Sequence, residues 1–94
     1  MSGNTFHLRV VTPEKIFFEG DVRSMVVPGG GGSFGVLANH APIISTLCPG
    51  RLVLTTPDGQ RRILAIGPGF LDVLNNEATL AAETVTDAPD EKPA

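Results

Sequence analysis

Residues 29–42 read GGGGSFGVLANHAP, with short apolar segments on both sides at residues 25–27 and 43–44. Four consecutive glycines fit poorly in the interior of a helix or a strand, because each glycine loses much backbone entropy on ordering and has no side chain to pack. The sequence therefore predicts an exposed, flexible loop between two strands. Loops held by a rigid scaffold often carry contacts with partners, which makes this segment a candidate binding site.

Strand signals continue from this loop in both directions. Phe6, Leu8 and Val10 alternate with polar residues, which is the period of a strand with one buried face. Residues 57–60 (PDGQ) have the composition of a hairpin turn. Gly or Pro interrupts every stretch in which apolar residues have helical spacing. These patterns predict an all-β fold, a sandwich or barrel built from nine or so short strands at intervals of about 8–12 residues.

Composition limits the classes of function. The chain has 94 residues and a formal net charge of −3, from 7 basic and 10 acidic residues, which predicts one small domain. Scattered basic residues and the absence of Trp and Tyr argue against nucleic acid as a partner. The apolar runs are far shorter than the ~20 residues of a membrane-spanning helix. Residues 1–5 have neither signal-peptide nor transit-peptide character. The single cysteine excludes a disulfide within the chain.

The composition changes near the C-terminus. Residues 86–94 contain two prolines and four charged residues. Such a segment cannot bury enough apolar surface to offset the entropy of ordering. We therefore predict a β-sandwich domain over residues 1–84 and an acidic, disordered tail over residues 85–94.

Enzymatic interpretations of the glycine-rich region have little support. A phosphate-binding P-loop needs Lys followed by Ser or Thr and then a helix, whereas this chain continues with SFG at residues 33–35. His40 and Cys48 lack the third group that orients a nucleophilic pair. We interpret Cys48 as a small buried hydrophobe. His40 is either a packing residue with one ring nitrogen bonded to the backbone or an interface residue. Several apolar residues fit either the core or an interface: Ile43, Ile44, Leu47, Leu52 and Leu54.

Five motifs in fixed order resemble the epsilon subunit of F-type ATP synthase, from about residue 6 to residue 84. They are residues 6–15 (FHLRVVTPEK) with 18–20 (FEG), the glycine-rich loop with 34–37 (FGVL) and 40–42 (HAP), residues 49–50 (PG), residues 67–73 (GPGFLDV) and residues 78–84 (ATLAAET). The set is specific as an ordered whole, although no single motif is.

The resemblance implies a flattened β-sandwich of about ten strands, in a non-catalytic rotor subunit of the central stalk. This subunit binds the gamma subunit and the ring of c subunits, and it needs no cofactor and no metal. The resemblance places a c-ring-facing loop at Gly29, Gly30, Gly31, Gly32, Ser33 and Phe34. It places gamma-facing residues at His40, Ala41, Pro42, Ile43, Ser45 and Leu47. It also implies a peripheral position on the cytoplasmic face of a bacterial inner membrane, or alternatively on the stromal side of a thylakoid.

The sequence departs from the family pattern in two ways. Family members usually continue into a two-helix hairpin, whereas here only the short tail at residues 85–94 follows the predicted domain. We therefore expect this chain to lack that inhibitory element and the ATP site of some members. No acidic residue occurs between Asp21 and Asp58, where family loops often carry a carboxylate. We therefore expect Ser33, Phe34 and backbone groups to contact the c ring instead of an ion pair. The alternative function is a freestanding β-sandwich module that binds a peptide or small ligand through residues 29–40.

Overall fold

The computed structural model describes residues 4–89, and all regular secondary structure in that range is β-strand. The all-β prediction is confirmed. The strands are β1 (Phe6–Val11), β2 (Ile16–Val22), β3 (Ser24–Gly29), β4 (Gly32–Leu37), β5 (Ile43–Leu47), β6 (Gly50–Thr55), β7 (Arg61–Ile66), β8 (Gly69–Leu74), β9 (Glu77–Ala82) and β10 (Val85–Ala88).

The strands form one sheet that folds over into a sandwich. Its order is β10-β7-β6-β3-β5-β8-β9-β1-β2, and β4 pairs with β3 outside this path. All pairs are antiparallel except β1 with β9. The link between β3 and β5 is a single pair, Gly29 with Leu47. This narrow link divides the sheet into two layers, with β4, β3, β6, β7 and β10 in one and β5, β8, β9, β1 and β2 in the other.

Three chain segments run through both layers. Leu47 pairs with Gly69 in one layer and Gly50 pairs with Ile66 in the other, so the β5–β6 segment stays in register with the β7–β8 segment across the bend. The β9–β10 segment keeps its register with the same neighbour, since Gly69 pairs with Ala82 and Ile66 with Val85. Each bend therefore joins the two layers through continuous backbone, and the layers cannot slide past each other without breaking a ladder.

Glycine residues allow the chain to bend where these segments cross. At Gly69 a Cβ atom would overlap the backbone carbonyl oxygen of Ala81 on the neighbouring strand. The amide of Gly67 donates to the Thr84 carbonyl at 2.9 Å, and the amide of Glu83 donates to the Pro68 carbonyl at 3.0 Å. The motif GPG at residues 67–69 is therefore a structural requirement of the corner, because only a residue without a side chain fits at Gly69.

The core lies between the two layers and is apolar. Its fully buried side chains come from both of them: Leu8, Val10, Val22, Met25, Val27, Val36, Leu52, Leu54, Leu64, Leu71 and Leu80. Among the described residues, no polar or charged side chain is buried. Leu52 and Leu54, for which the sequence left core and interface open, therefore belong to the core.

Arg62 bridges the open side of the sandwich. Its guanidinium lies 5.7 Å from the ring centroids of both Phe17 and Phe18 on edge strand β2. It also bonds the Asp87 carboxylate on edge strand β10 at 3.1 Å. Cation–π contacts at exposed sites contribute about 0.5–1 kcal/mol each, so Arg62 links the two edges of the sheet.

The structure corrects two sequence predictions. Val85–Ala88 form β10 and pair with β7, so the tail predicted to begin at residue 85 is ordered at its start. These residues are ordered because their backbone pairs with the edge of β7 and because Val85, which is 8% exposed, packs into the core. The predicted end of the tail, at residues 90–94, lies outside the described residues. Cys48 is exposed and not buried, because it sits at the outer bend between β5 and β6.

Candidate binding surfaces

The glycine run forms a tight turn and not a flexible loop. Gly29 and Gly32 are the last and first residues of β3 and β4 and pair with each other, which leaves Gly30 and Gly31 as the turn. The Gly30 amide donates to the Thr46 carbonyl at 3.1 Å, so the turn is attached to β5. Gly32 has a φ of 126°, which few side chains tolerate. The run therefore forms the tip of a hairpin, with its outer glycines in the ladder. The sequence did not indicate this hairpin, because four consecutive glycines are typical of a loop.

The predicted c-ring-facing residues divide into an exposed and a covered set. Gly30, Gly31, Gly32 and Ser33 are exposed, whereas Gly29 is buried. The ring of Phe34 is half-buried against the core, and a Cβ atom at Gly29 would lie only 2.7 Å from it. The exposed tip of the molecule at this turn is thus small, uncharged and mostly backbone. The ring of Phe34 packs between the tip and the core.

Alternation along β5 separates the predicted gamma-facing residues. Leu47 is 4% exposed and lies in the core, so it forms no part of a surface in this domain. Ile43 packs against the core, and Ser45 shares its parity. The outward positions of this strand are Ile44 and Thr46. The residues that the resemblance placed on this strand, Ile43, Ser45 and Leu47, are thus the inward set, and the period of two in the sequence does not say which parity faces solvent.

His40, Ala41 and Pro42 lie in the connection between β4 and β5, and an asparagine pair fixes this connection. The Asn39 amide donates to the side-chain oxygen of Asn76 at 2.6 Å, and the Asn76 side chain donates back to Asn39 at 3.0 Å. Asn39 and Asn76 have φ values of 66° and 62°, a region that asparagine tolerates better than most residues. His40 Nδ1 donates to the Ala41 carbonyl at 2.7 Å, which is the backbone bond of the first of the two roles considered for His40 and leaves the interface role open.

An exposed, mainly apolar face lies over β5 and β8, with Asp72 as its one charged residue. Its three large side chains are Ile44, Phe70 and Leu74, which are 80%, 62% and 52% exposed. Thr46 pairs with Phe70 and Ile44 pairs with Asp72, so these residues share the outer side of two neighbouring strands. We call Ile44, Phe70 and Leu74 the β5–β8 face. An apolar cluster on the outer side of an antiparallel sheet is typical of a surface that another protein covers.

Open grooves border this face on both sides. One, of about 480 Å³, is lined by Pro42, Ile43, Ile44, Asp72, Val73 and Leu74. The other, also of about 480 Å³, lies beside Phe70 against Val11, Pro13, Pro68 and Ala81. Both are lined mainly by apolar atoms, so a covering partner would find recesses for apolar side chains. No pattern in the sequence indicated the second groove, which forms where the GPG corner meets the turn after β1.

The opposite end of this layer carries charge. On the outer side of β1 and β2, His7 Nε2 lies 2.9 Å from the Glu19 carboxylate and Nδ1 lies 3.4 Å from that of Asp21. Arg9 approaches Glu19 at 3.9 Å. The hydrogen bond to Glu19 is the main cause that raises the pKa of His7, and Asp21 adds to it. The cluster makes this end hydrophilic, so the β5–β8 face is bounded by charge.

We expect His7 to make folding stability dependent on pH. Its pKa is raised in the folded state, so its contribution is fully present below the unfolded pKa of about 6.5 and is lost as the pH rises through the folded pKa. Denaturant unfolding at about pH 6 and about pH 8 should show a loss of stability with rising pH that His7→Gln removes. In an NMR titration, Glu19→Gln should lower the pKa of His7. An unchanged pKa in that variant would contradict the assignment.

Among residues 4–89, no three side chains of His, Cys, Asp or Glu lie together as potential metal ligands. The same residues form no helix long and apolar enough to cross a membrane.

Comparison with known proteins relates the whole described chain to one family. The model of the β-sandwich domain of the ATP synthase delta/epsilon chain matches residues 5–88. The ATP synthase epsilon chain of Rhodopseudomonas palustris (strain TIE-1) is 40% identical over 87 residues, which cover 93% of this chain and 64% of the relative. That of Bradyrhizobium sp. (strain ORS 278) is 45% identical over 82 residues, which cover 87% and 60%. The chain thus spans less than two thirds of the length of these relatives.

Solved structures show the same fold at low identity. A chain in the Euglena gracilis mitochondrial ATP synthase, solved as OSCP/F1/c-ring in rotational state 1, has a TM-score of 0.84 at 20% identity, covering 88% of this chain and 53% of that one. A chain in the central stalk and c-ring structure from Tetrahymena thermophila has a TM-score of 0.70 at 13% identity, covering 86% and 65%. The similarity extends to the arrangement of the strands and not only to short motifs.

Proposed function

The chain belongs to the family of ATP synthase delta/epsilon chain β-sandwich domains, and from this premise we propose that it acts as a non-catalytic rotor component of the central stalk. In this role it binds the gamma subunit and rests on the c ring, so that ion-driven rotation reaches the catalytic head. The two solved structures that contain a chain of this fold are ATP synthase assemblies with a c ring. Their composition supports this proposal.

The β5–β8 face is the observation that carries the proposal. Ile44, at 80%, is the most exposed of the six large apolar side chains that the described residues leave exposed, and three of these six lie on this face. Full burial of an isoleucine side chain contributes about 1.5–3 kcal/mol, which an isolated domain leaves unused here. This face adjoins the His40–Pro42 connection that the family resemblance relates to gamma. We assign the β5–β8 face and this connection to gamma.

The other proposed contact lies at the turn between β3 and β4. Gly30 and Gly31 present backbone groups and Ser33 presents its hydroxyl to solvent, without charge. Such a tip fits closely against a polar loop, and its contact is independent of ionic strength because no ion pair is involved. We assign this tip to the c ring.

The architecture suits a part that transmits torque. The three segments that bend through both layers connect the layers covalently, and close-packed interiors resist deformation. A load applied at the Gly30–Gly31 turn passes through β3 and β5, since the turn is bonded to Thr46. Because the role is mechanical, it needs neither a nucleophile nor a bound cofactor. The location that follows is peripheral, on the cytoplasmic face of a bacterial inner membrane.

Co-purification tests this function. We expect the 94-residue chain to form a one-to-one complex with the gamma subunit of the same organism at about 150 mM salt, because apolar burial is insensitive to screening. Size-exclusion chromatography with light scattering measures the mass of the complex. The separate migration of the two proteins at micromolar concentration would contradict the proposal. Addition of the detergent-solubilised c ring then tests the second contact.

A further inference from the structure

One edge of the sheet is open along its length. Strand β4 pairs with β3 alone within residues 4–89. Its other edge therefore carries backbone amide and carbonyl groups without a strand partner. Such groups form a template on which a further extended chain can pair.

Ladder geometry identifies the groups on that edge. In an antiparallel pair, residues alternate between bonding across the ladder and pointing away from it. Gly29 and Gly32 close the hairpin, so Ser33 and Gly35 direct their amides and carbonyls outward. Two hydrogen bonds agree with this phase: the Pro28 carbonyl, opposite Ser33, accepts from Cys48 on the far side of β3 at 2.8 Å. The Leu37 carbonyl accepts from His40 at 3.2 Å.

The edges at β2 and β10 are protected and the edge at β4 is not. The unpaired edge of β5 is shorter, because Leu47 pairs with Gly29 and the Thr46 carbonyl accepts from Gly30. Edge strand β2 carries Glu19 and Asp21 and has a register irregularity opposite Val10 and Val11. Edge strand β10 has only four residues, and its Asp87 is bonded by Arg62. Strand β4 has six residues, GSFGVL, with no charge, no proline and no register shift. Natural sheets normally protect such an edge with charge, proline or a bulge, so its absence here indicates an edge that is paired in the assembled state.

We propose that β4 accepts an extended, uncharged strand of the gamma subunit, which joins the sheet by backbone hydrogen bonds. This inference rests on the proposed function and adds the mode of binding. No Asp, Glu, Lys or Arg occurs from Ser24 to Gly50, so β3, β4 and β5 themselves offer no counter-charge to a charged strand. The β5–β8 face belongs to the other layer, which joins the layer of β4 at the pair Gly29 and Leu47, so a large partner that covers both extends around this link.

A second copy of this chain fits the edge less well. Pairing two six-residue strands buries far less than the roughly 1,200 Å² of a stable interface. A larger partner adds contacts beyond the strand, for example on Leu37, which is 62% exposed at the end of β4. Backbone pairing provides affinity, and the side chains beside it provide specificity.

Amide exchange measured by NMR on the unaltered chain tests the proposal. In the complex with gamma, the Ser33 and Gly35 amides should become protected at least about tenfold, whereas Phe34 and Val36, already bonded to β3, should change less. Protection that alternates in this way distinguishes strand addition from coverage by a face. A complex that forms without protection at Ser33 and Gly35 would overturn the inference and leave the proposed function intact. A failure to form any complex would overturn both.

A matched pair of variants gives an independent readout. Gly35→Pro removes the outward amide, and Gly35→Ala keeps it. There is room for the added methyl, since the nearest atom to a Cβ at Gly35 is the Met25 carbonyl oxygen at 3.8 Å. We expect proline to weaken gamma binding at least about tenfold and alanine less than about twofold. Equal affinities would contradict strand addition. Alternating protection that appears in the free chain together with a dimer mass would assign the edge to a second copy and overturn the proposal.

Discussion

Replacing Gly69 with alanine is expected to remove a large share of the folding stability. The new Cβ would overlap the backbone carbonyl oxygen of Ala81, which cannot move without breaking the ladder between β8 and β9. Overpacking of this kind costs about 3 kcal/mol or more, against a total stability of about 5–15 kcal/mol for a small domain. Denaturant unfolding followed by circular dichroism measures the difference.

Gly31→Ala is the matched control for this prediction. It makes the same chemical change in the same chain, but a Cβ at Gly31 would meet nothing within 4 Å. We expect its stability to differ from that of the unaltered protein by less than about 0.5 kcal/mol. If Gly69→Ala were as stable as Gly31→Ala, the corner at residues 67–69 would not have the close approach described above.

Ile44→Asp is expected to weaken binding to gamma by about 100-fold while the domain remains folded. The side chain is 80% exposed in the isolated domain, so folding does not depend on it. In the complex, the substitution would place a second carboxylate directly opposite that of Asp72 within an otherwise apolar contact, a change typical of the loss of a binding hot spot. Isothermal titration calorimetry with purified gamma measures the affinity, and thermal unfolding of the free variant confirms the fold.

Ile16→Asp provides the control for binding. Ile16 is also an isoleucine on a strand and is 49% exposed, but it lies on β2, away from the β5–β8 face. Its replacement should change the affinity for gamma less than about threefold. Equal losses in the two variants would mean that gamma does not recognise the β5–β8 face in particular, and a larger loss at Ile16 would move the contact to the charged end of the layer.

The glycine run shows how far local sequence reasoning reaches. Its composition correctly indicated a break after the apolar segment at residues 25–27, but the loop predicted over residues 29–42 contains the strand β4 (Gly32–Leu37). Gly29 and Gly32 are ladder residues, because a tight hairpin and the ring of Phe34 leave no room for larger side chains at Gly29. Backbone entropy disfavours glycine in a strand. At Gly29 glycine is nevertheless required, because the ring of Phe34 occupies the space that a side chain would need.

Other features depend on residues far apart in sequence. The Asn39–Asn76 pair and the Arg62 bridge join positions whose proximity follows only from the folded sheet. Their residue types gave no signal, because exposed Asn and Arg occur throughout loops and strand edges. The identity of the family was readable from ordered motifs, whereas the contacts that fix the shape of the binding surfaces were not.

The all-β class, most strand positions, the uncharged stretch around the glycine run and the resemblance to epsilon subunits were all readable from the sequence. The side chains that face outward could be identified only from the folded sheet. Within β5 the inward residues are odd-numbered, with Leu47 in the core, whereas in β6 they are even-numbered, with Leu52 and Leu54. The parity changes at the bend between layers, where the same segment turns its other side to the core. The apolar period within one strand carries no information about that bend. The exposure of Ile44 could therefore be known only from the packing of the two layers.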